Sequence, residues 1–197
     1  MRKLNNDQQS VVDSVIIDLT DDLKIMEFFH QLGLTPNWLT TIGNLFRAVS
    51  VYFLVNGQNL AFLVCAFIGY FFDCFDGHFA RKYNQSTKFG DYYDHVSDWI
   101  YHLILTFLFY RSARYQRLSR QNKLLLFGVM VIFTYLFMVH TGCQERHFVC
   151  DPSRSECSET LKPLEILCRD KEWIYWSRYF GTGTYVLVFY ILTYMFY

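Results

Sequence analysis

Charge is the first thing this 197-residue chain is short of: only 18% of its residues are Asp, Glu, Lys or Arg, and 18 basic side chains cancel 18 acidic ones. Globular chains average roughly 25% charged residues. So balanced and sparse a charge excludes a general nucleic-acid binder, which needs a basic face for phosphates. Three prolines and ten glycines exclude collagen-like and low-complexity chains, and no repeat of solenoid length is present. What remains is apolar. Hydrophobic residues make up 52% and aromatics 20%, which excludes intrinsic disorder.

The apolar residues come in runs rather than stripes. Leu124 to Val139 is unbroken, and Leu60 to Phe72 is as apolar until it meets Asp73. Trp99 to Tyr110 continues a helix that begins near Gly90, Val186 to Tyr197 is almost pure Tyr, Phe, Leu and Val, and Trp38 to Val55 is interrupted by Arg47. Such runs read as membrane spans. The expected fold is therefore all-α, a polytopic integral membrane helix bundle of about five transmembrane helices. A mean hydropathy of +0.11 agrees, because polar connections dilute the average. No cleavable signal peptide is expected ahead of the first span.

Upstream, Leu19, Leu23, Met26 and Phe29 recur at helical spacing with Asp18, Asp22 and Glu27 between them. They predict an amphipathic helix that lies on the membrane surface or packs on the protein's own face. Residues 1–33 then form a juxtamembrane segment, and 34–197 a transmembrane domain with a polar loop at 142–172. Pro36 ends anything helical before it, and Thr35 or Asn37 can cap the first span.

Chemistry concentrates between Asp73 and Asp98. Asp73 and Asp76 stand three apart, Asp94 and Asp98 four apart, so each pair shares one helix face. Carboxylates at the end of an apolar run are costly unless paired or metal-bound. Two pairs facing each other make an oxygen-rich cage for Mg²⁺ or Mn²⁺, and a divalent metal points to phosphate. Gly77 and Gly90 allow close approach of backbone or ligand. Asp91 is read as a solvated helix-end residue. A cation transporter is the competing class, and an inactive membrane scaffold has the same hydropathy.

The segment Asp73-Cys74-Phe75-Asp76-Gly77-His78-Phe79-Ala80-Arg81, with Gly90, Asp94 and Asp98, resembles the signature D-x-x-D-G-x-x-A-R-x(8)-G-x-x-x-D-x-x-x-D of the CDP-alcohol phosphatidyltransferase family. All eight fixed positions are filled; at average residue usage this has odds on the order of 10⁻¹⁰ per start position. Leu34-Thr35-Pro36-Asn37-Trp38-Leu39-Thr40 resembles the family's entry into its first span. The resemblance implies transfer of a phosphatidyl group from CDP-diacylglycerol to a small alcohol, with release of CMP, by an integral multi-pass membrane enzyme. It implies metal ligation by Asp73, Asp76, Asp94 and Asp98, with Asp98 also the catalytic base. Asn37, Thr40, Gly77, Arg81 and Thr87 would line the CDP moiety; Arg81 also suits phosphate through its bidentate guanidinium.

Gly77-His78, Ala80 to Gln85 and Phe89-Gly90 look most like phosphatidylinositol synthases, and Tyr175-Trp176-Ser177-Arg178 is similar to an arginine-bearing stretch of theirs. The implied acceptor is myo-inositol, with Arg178 as an acceptor-binding candidate. Tyr93-Asp94-His95 resembles the choline and ethanolamine phosphotransferases, which leaves a CDP-alcohol with diacylglycerol as the alternative. Family members usually have six spans and pack as homodimers; five are expected here.

Cys143, Cys150, Cys157 and Cys168 fall in the polar loop with His147, and no C-x-x-C occurs. Unlinked thiols are expected over structural zinc. A soluble cytidine nucleotide requires the cage to face the cytosol, where disulfides are not expected. The segments on that side, 1–37, 80–92 and 142–178, then hold twelve Lys or Arg against five in Arg111 to Lys123, a dense cluster on the wrong side for the positive-inside rule, so that the family resemblance decides the orientation.

Overall fold

The computed structural model describes residues 5, 7–149, 158 and 160–197. Among these, regular structure is helical throughout: α1 (Val11–Asp22), α2 (Ile25–Gln31), α3 (Pro36–Val55), α4 (Asn59–Lys82), α5 (Lys88–Arg111), α6 (Ala113–Gln116), α7 (Arg120–Gln144), α8 (Trp173–Ser177) and α9 (Thr182–Phe196), with short π and 3-10 turns after α7 and around α8. Cys150 and Cys157 lie outside the described residues.

Among the described residues, four stretches are long and apolar enough to cross a membrane: Pro36–Val55, Asn59–Lys82, Arg120–Phe148 and Trp173–Phe196. α5 has the length, 24 residues or about 36 Å at 1.5 Å per residue, but its first half carries Asp91, Asp94 and Asp98. Its second half shows Leu103, Ile104 and Phe107 on the outside, as a lipid-facing surface does. The helical bundle is the expected membrane architecture, with four such stretches where about five were expected; α5 falls short because its first half carries the acidic residues.

α3 and α4 form the tightest pair, and two glycines explain why. A Cβ on Gly69 would stand 2.7 Å from Arg47 Cγ and 3.1 Å from the Gly43 carbonyl; one on Gly43 would stand 3.2 Å from the Gly69 carbonyl. Without hydrophobic drive between helices in lipid, small residues that admit close backbones set such contacts. α4 and α9 then enclose Phe62, Ala66, Tyr70, Val186 and Tyr190 with Tyr101 and Leu105 of α5.

The single amphipathic helix expected upstream is two. α1 ends at Asp22 and α2 begins at Ile25 because Lys24 takes a left-handed conformation, φ 52°. α1 runs alongside α4 in the same direction: Asp13 meets Tyr70 and Cys74, and Asp21 meets His78 at 3.2 Å and Lys82 at 3.0 Å. It buries Ile16 and Ile17 while leaving Val15, Leu19 and Leu23 exposed. One face thus packs on the protein and the other is free for lipid.

Thr35 sits at the N-cap of α3 in extended conformation with Pro36 in the first turn, and no side chain caps this end. Proline fits there because the first amide has no partner within the helix.

The polar loop holds the second correction. Cys143 and Cys168 form a disulfide, not the free thiols expected. The loop folds back on α7 so tightly that a Cβ on Gly142 would run into the Leu164 carbonyl, and that return brings Cys168 against Cys143. Both cysteines are fully buried with Val139 and Ile174.

Candidate metal and nucleotide site

A cavity of about 280 Å³ opens where α1, α3, α4, α5, α7 and the start of α9 meet. Asp73 and Asp76 enter from α4 and Asp94 from α5. Asp73, Asp94 and Asp98 each offer a ligand oxygen, all within 4.8 Å of one another. Asp94 Oδ1 is buried without a hydrogen-bond partner. Three carboxylates at one point, one oxygen unsatisfied and no nitrogen or sulfur donor among them, fit a hard divalent cation.

Asp76 stands apart from that trio. It is buried, and Thr40 Oγ1 of α3 donates to its Oδ2. Asp98 lies outside the cavity lining and pairs with Arg47 Nη1 at 2.6 Å. The other guanidinium nitrogen, Nη2, donates to Asp73 Oδ1 at 2.8 Å. Arg47 is 3% exposed, lies 5.5 Å from the Tyr101 ring, and so supplies the cage with an internal counter-charge. The sequence signal for it was present: Asn37, Thr40, Asn44 and Arg47 share one face of α3 at spacings of three and four. An arginine inside a span is itself a functional flag.

The five residues expected at the nucleotide, Asn37, Thr40, Gly77, Arg81 and Thr87, all line the cavity. Thr87 caps α5, its hydroxyl accepting the Gly90 amide at 3.0 Å. A Cβ on Gly90 would stand 3.1 Å from both Thr87 Oγ1 and Asn37 Oδ1, so the glycine keeps a gap open between α3 and α5. At Gly77 a Cβ would be 3.4 Å from Arg81 Nη1; the guanidinium folds back over this glycine. Arg178 does not line the cavity. It lies in the turn after α8, and its Nε is buried without a partner.

Asp91 is not merely solvated. It accepts from Ser158 Oγ at 2.8 Å and Thr160 Oγ1 at 3.3 Å, and pairs with His95 at 3.4 Å. Thr160 also meets His95 at 2.8 Å, and the Ser158 amide donates to Glu145 at 2.7 Å. The far end of the polar loop is thereby tied over the start of α5.

α1 contributes what spacing along α4 and α5 did not reveal. Gln9, Asp13 and Ile17, four apart, line the cavity. Asp13 Oδ1 accepts from Tyr70 Oη, and Cys74 Sγ lies 3.8 Å away. Burial pushes the Asp13 carboxyl up from 3.8 to about 7; the Tyr70 bond opposes this and the charge of Asp73 adds to it. Asp21, at the other end of α1, is also pushed up by partial burial, but Lys82 and His78 outweigh that and hold it below its ordinary value.

The chain matches the profile of the CDP-alcohol phosphatidyltransferase family over residues 33–150, more than half its length, and it belongs to that family. Archaetidylinositol phosphate synthase of Pyrococcus horikoshii is 41% identical over 76 residues, 38% of this chain and 40% of the relative. CDP-diacylglycerol–glycerol-3-phosphate 3-phosphatidyltransferase is 43% identical over 70 residues in Yersinia pestis, 32% of this chain and 36% of the relative. The Aquifex aeolicus enzyme of the same name is 29% identical over 120 residues, 60% of this chain and 64% of the relative. The chain therefore matches less than two thirds of the length of these relatives. No solved structure matches.

Proposed function

We propose that this protein transfers a phosphatidyl group from CDP-diacylglycerol to a small alcohol, myo-inositol first, releasing CMP. The observation that carries the reading is one cavity in which Asp73 and Asp94, joined by Asp98, stand beside Asn37, Gly77, Arg81 and Thr87. Mg²⁺ or Mn²⁺ held by the trio, with Asp76 beside it, supplies charge neutralisation at the diphosphate. Arg81 pairs with a phosphate oxygen, and Asn37 and Thr87 frame the cytidine portion. The alcohol oxygen forms a new bond to the phosphatidyl phosphorus while that phosphorus loses its bond to the oxygen that leaves with CMP. Asp98 takes the hydroxyl proton, since an alcohol is a weak nucleophile near neutral pH.

The cavity is proposed to open to the cytosol, where CMP is soluble, with the twelve basic residues of segments 1–37, 80–92 and 142–178 on that side. A Cys143–Cys168 bond persists there because both sulfurs are withdrawn from solvent, and thiol exchange requires access.

Purified protein in liposomes, given CDP-diacylglycerol, Mg²⁺ and a panel of alcohols, should release CMP only with metal and most rapidly with myo-inositol. Transfer from CDP-choline to diacylglycerol in preference would reverse the donor and acceptor. Charge movement without nucleotide turnover would make the protein a transporter instead.

A further inference from the structure

The cavity has two kinds of wall. α3, α4 and α5 supply the metal cage and the nucleotide residues. Gln9, Asp13 and Ile17 at α1, Thr141, Gln144 and Glu145 at the end of α7, Ser158 and Leu161 beyond it, and Thr182 of α9 face them: mostly hydroxyls, amides and carboxylates, the groups that recognise a hydroxyl-rich ligand.

Charge sharpens the choice of ligand. Asp13, Asp73, Asp76, Asp91, Asp94 and Glu145 all line the cavity, and Arg81 is the one Lys or Arg among its described lining residues. In the reading proposed above, Arg81 serves the diphosphate. A second phosphate, carried in by the acceptor, would add up to two negative charges at neutral pH, and among the described lining residues only His95, already paired with Asp91, could then meet them. Both kinds of relative named above carry a phosphate-bearing product or acceptor in their names.

Outside the cage, Asp13 is the carboxylate that α1 brings to the cavity. Asp91 is occupied by Ser158, Thr160 and His95, and Glu145 by the Ser158 amide. Tyr70 and Cys74 meet Asp13 at Oδ1, and the Gly183 amide also bonds the carboxyl, which fixes its side chain at the cavity wall. Gly183 admits this approach: a Cβ there would collide with Asp13 Oδ1 and stand 2.6 Å from Val12 Cβ.

We propose that the wall built by α1, α7 and α9 is the acceptor subsite and that Asp13 anchors an acceptor hydroxyl there, selecting an unphosphorylated polyhydroxy alcohol over its phosphate ester. The inference rests on the phosphatidyl-transfer reading. Its test pairs myo-inositol with myo-inositol phosphate, and glycerol with glycerol 3-phosphate, in liposomes containing CDP-diacylglycerol and Mg²⁺. The native protein should favour each free alcohol at least tenfold in kcat/KM. Asp13→Asn should raise the acceptor KM about tenfold, the loss of one charge-assisted hydrogen bond, and leave the KM for CDP-diacylglycerol within twofold. Asp13→Lys should move the preference toward the phosphate ester. An unchanged acceptor KM in Asp13→Asn, or preference of the native protein for the esters, overturns the assignment. Absence of metal-dependent CMP release with every acceptor is instead the failure of the transfer reading. Equilibrium binding of radiolabelled myo-inositol then decides the subsite alone: binding that Asp13→Asn weakens supports it, and no binding, or binding indifferent to Asp13, ends it.

Discussion

Three carboxylates crowded within 4.8 Å repel one another, and Arg47 is what makes the crowding tolerable before a cation arrives. Its guanidinium touches Asp73 and Asp98 but leaves Asp94 Oδ1 unsatisfied. Arg47→Met removes the counter-charge while keeping much of the volume. Breaking a buried ion pair from one side costs roughly 3–5 kcal/mol, so this protein should melt well below the native one in chelator. Mg²⁺ should recover more of the stability of Arg47→Met than of the native protein. Equal metal effects on the two melting temperatures would show that Arg47 does not balance the cage. Asp94→Asn tests the other half: it keeps the fold and should lose at least a hundredfold in metal-dependent CMP release. Near-native turnover in that variant would remove Asp94 from the metal site.

The four acidic positions were legible because helical spacing puts each pair on one face, and the glycines because a cage needs room. Arg47 was legible as a flaw in a hydrophobic run, on one helix face with Asn37, Thr40 and Asn44. Its meaning depends on α4 and α5 lying against α3, which no local pattern states. Asp13 was invisible for the same reason: it stands in a different helix, and its partner Tyr70 is 57 residues away.

At the scale of elements, the α3–α4 contact sets the position of everything in the cage, since Arg47 comes from one helix and Asp73 from the other. Gly69→Val would press two methyls and a Cβ into Arg47 Cγ and the Gly43 carbonyl. Overpacking of this kind costs about 1–3 kcal/mol. It should lower turnover more than stability, because a shift of under an ångström spoils the trio. Native kinetics in Gly69→Val would mean that the helices yield elsewhere.

Most spans followed from apolar runs, and the ends of these lie near those of α3 and α7, but α4 continues ten residues past Phe72 to Lys82 and carries Asp73 and Asp76 inside the helix. The break at Lys24 did not follow, because neither glycine nor proline marks it. The disulfide did not either. Cysteine spacing carries no information about a loop that returns to its own helix, and the assumed compartment argued against pairing. Cys168→Ser opens a link spanning 25 residues, worth about 3 kcal/mol on the chain-entropy account. It should also release Ser158 and Thr160 from Asp91 and His95. Lowered thermal stability with lowered turnover is expected; a fall in stability alone would separate the loop from the site.

For the whole molecule, the question is which side of the membrane the cavity faces. The disulfide and the cavity share an end of α7, since Cys143 is followed directly by the lining residues Gln144 and Glu145. The orientation that gives CMP to the cytosol therefore also puts the disulfide there. Charge is divided: the segments 1–37, 80–92 and 142–178 contain twelve basic residues, but the five between Arg111 and Lys123 are denser, and density in a short loop is what the positive-inside rule weighs. Asp7→Cys and Arg117→Cys stand at opposite ends of the bundle. In sealed vesicles of cytosolic-out orientation, a membrane-impermeant maleimide should label Asp7→Cys at once and Arg117→Cys only after permeabilisation, with the unsubstituted protein as the baseline for Cys65 and Cys74. The reverse pattern would put the acidic cavity in the compartment where disulfides form freely. It would make the basic loop a cytosolic anchor, and the nucleotide substrate would then have to be supplied from the far side of the membrane.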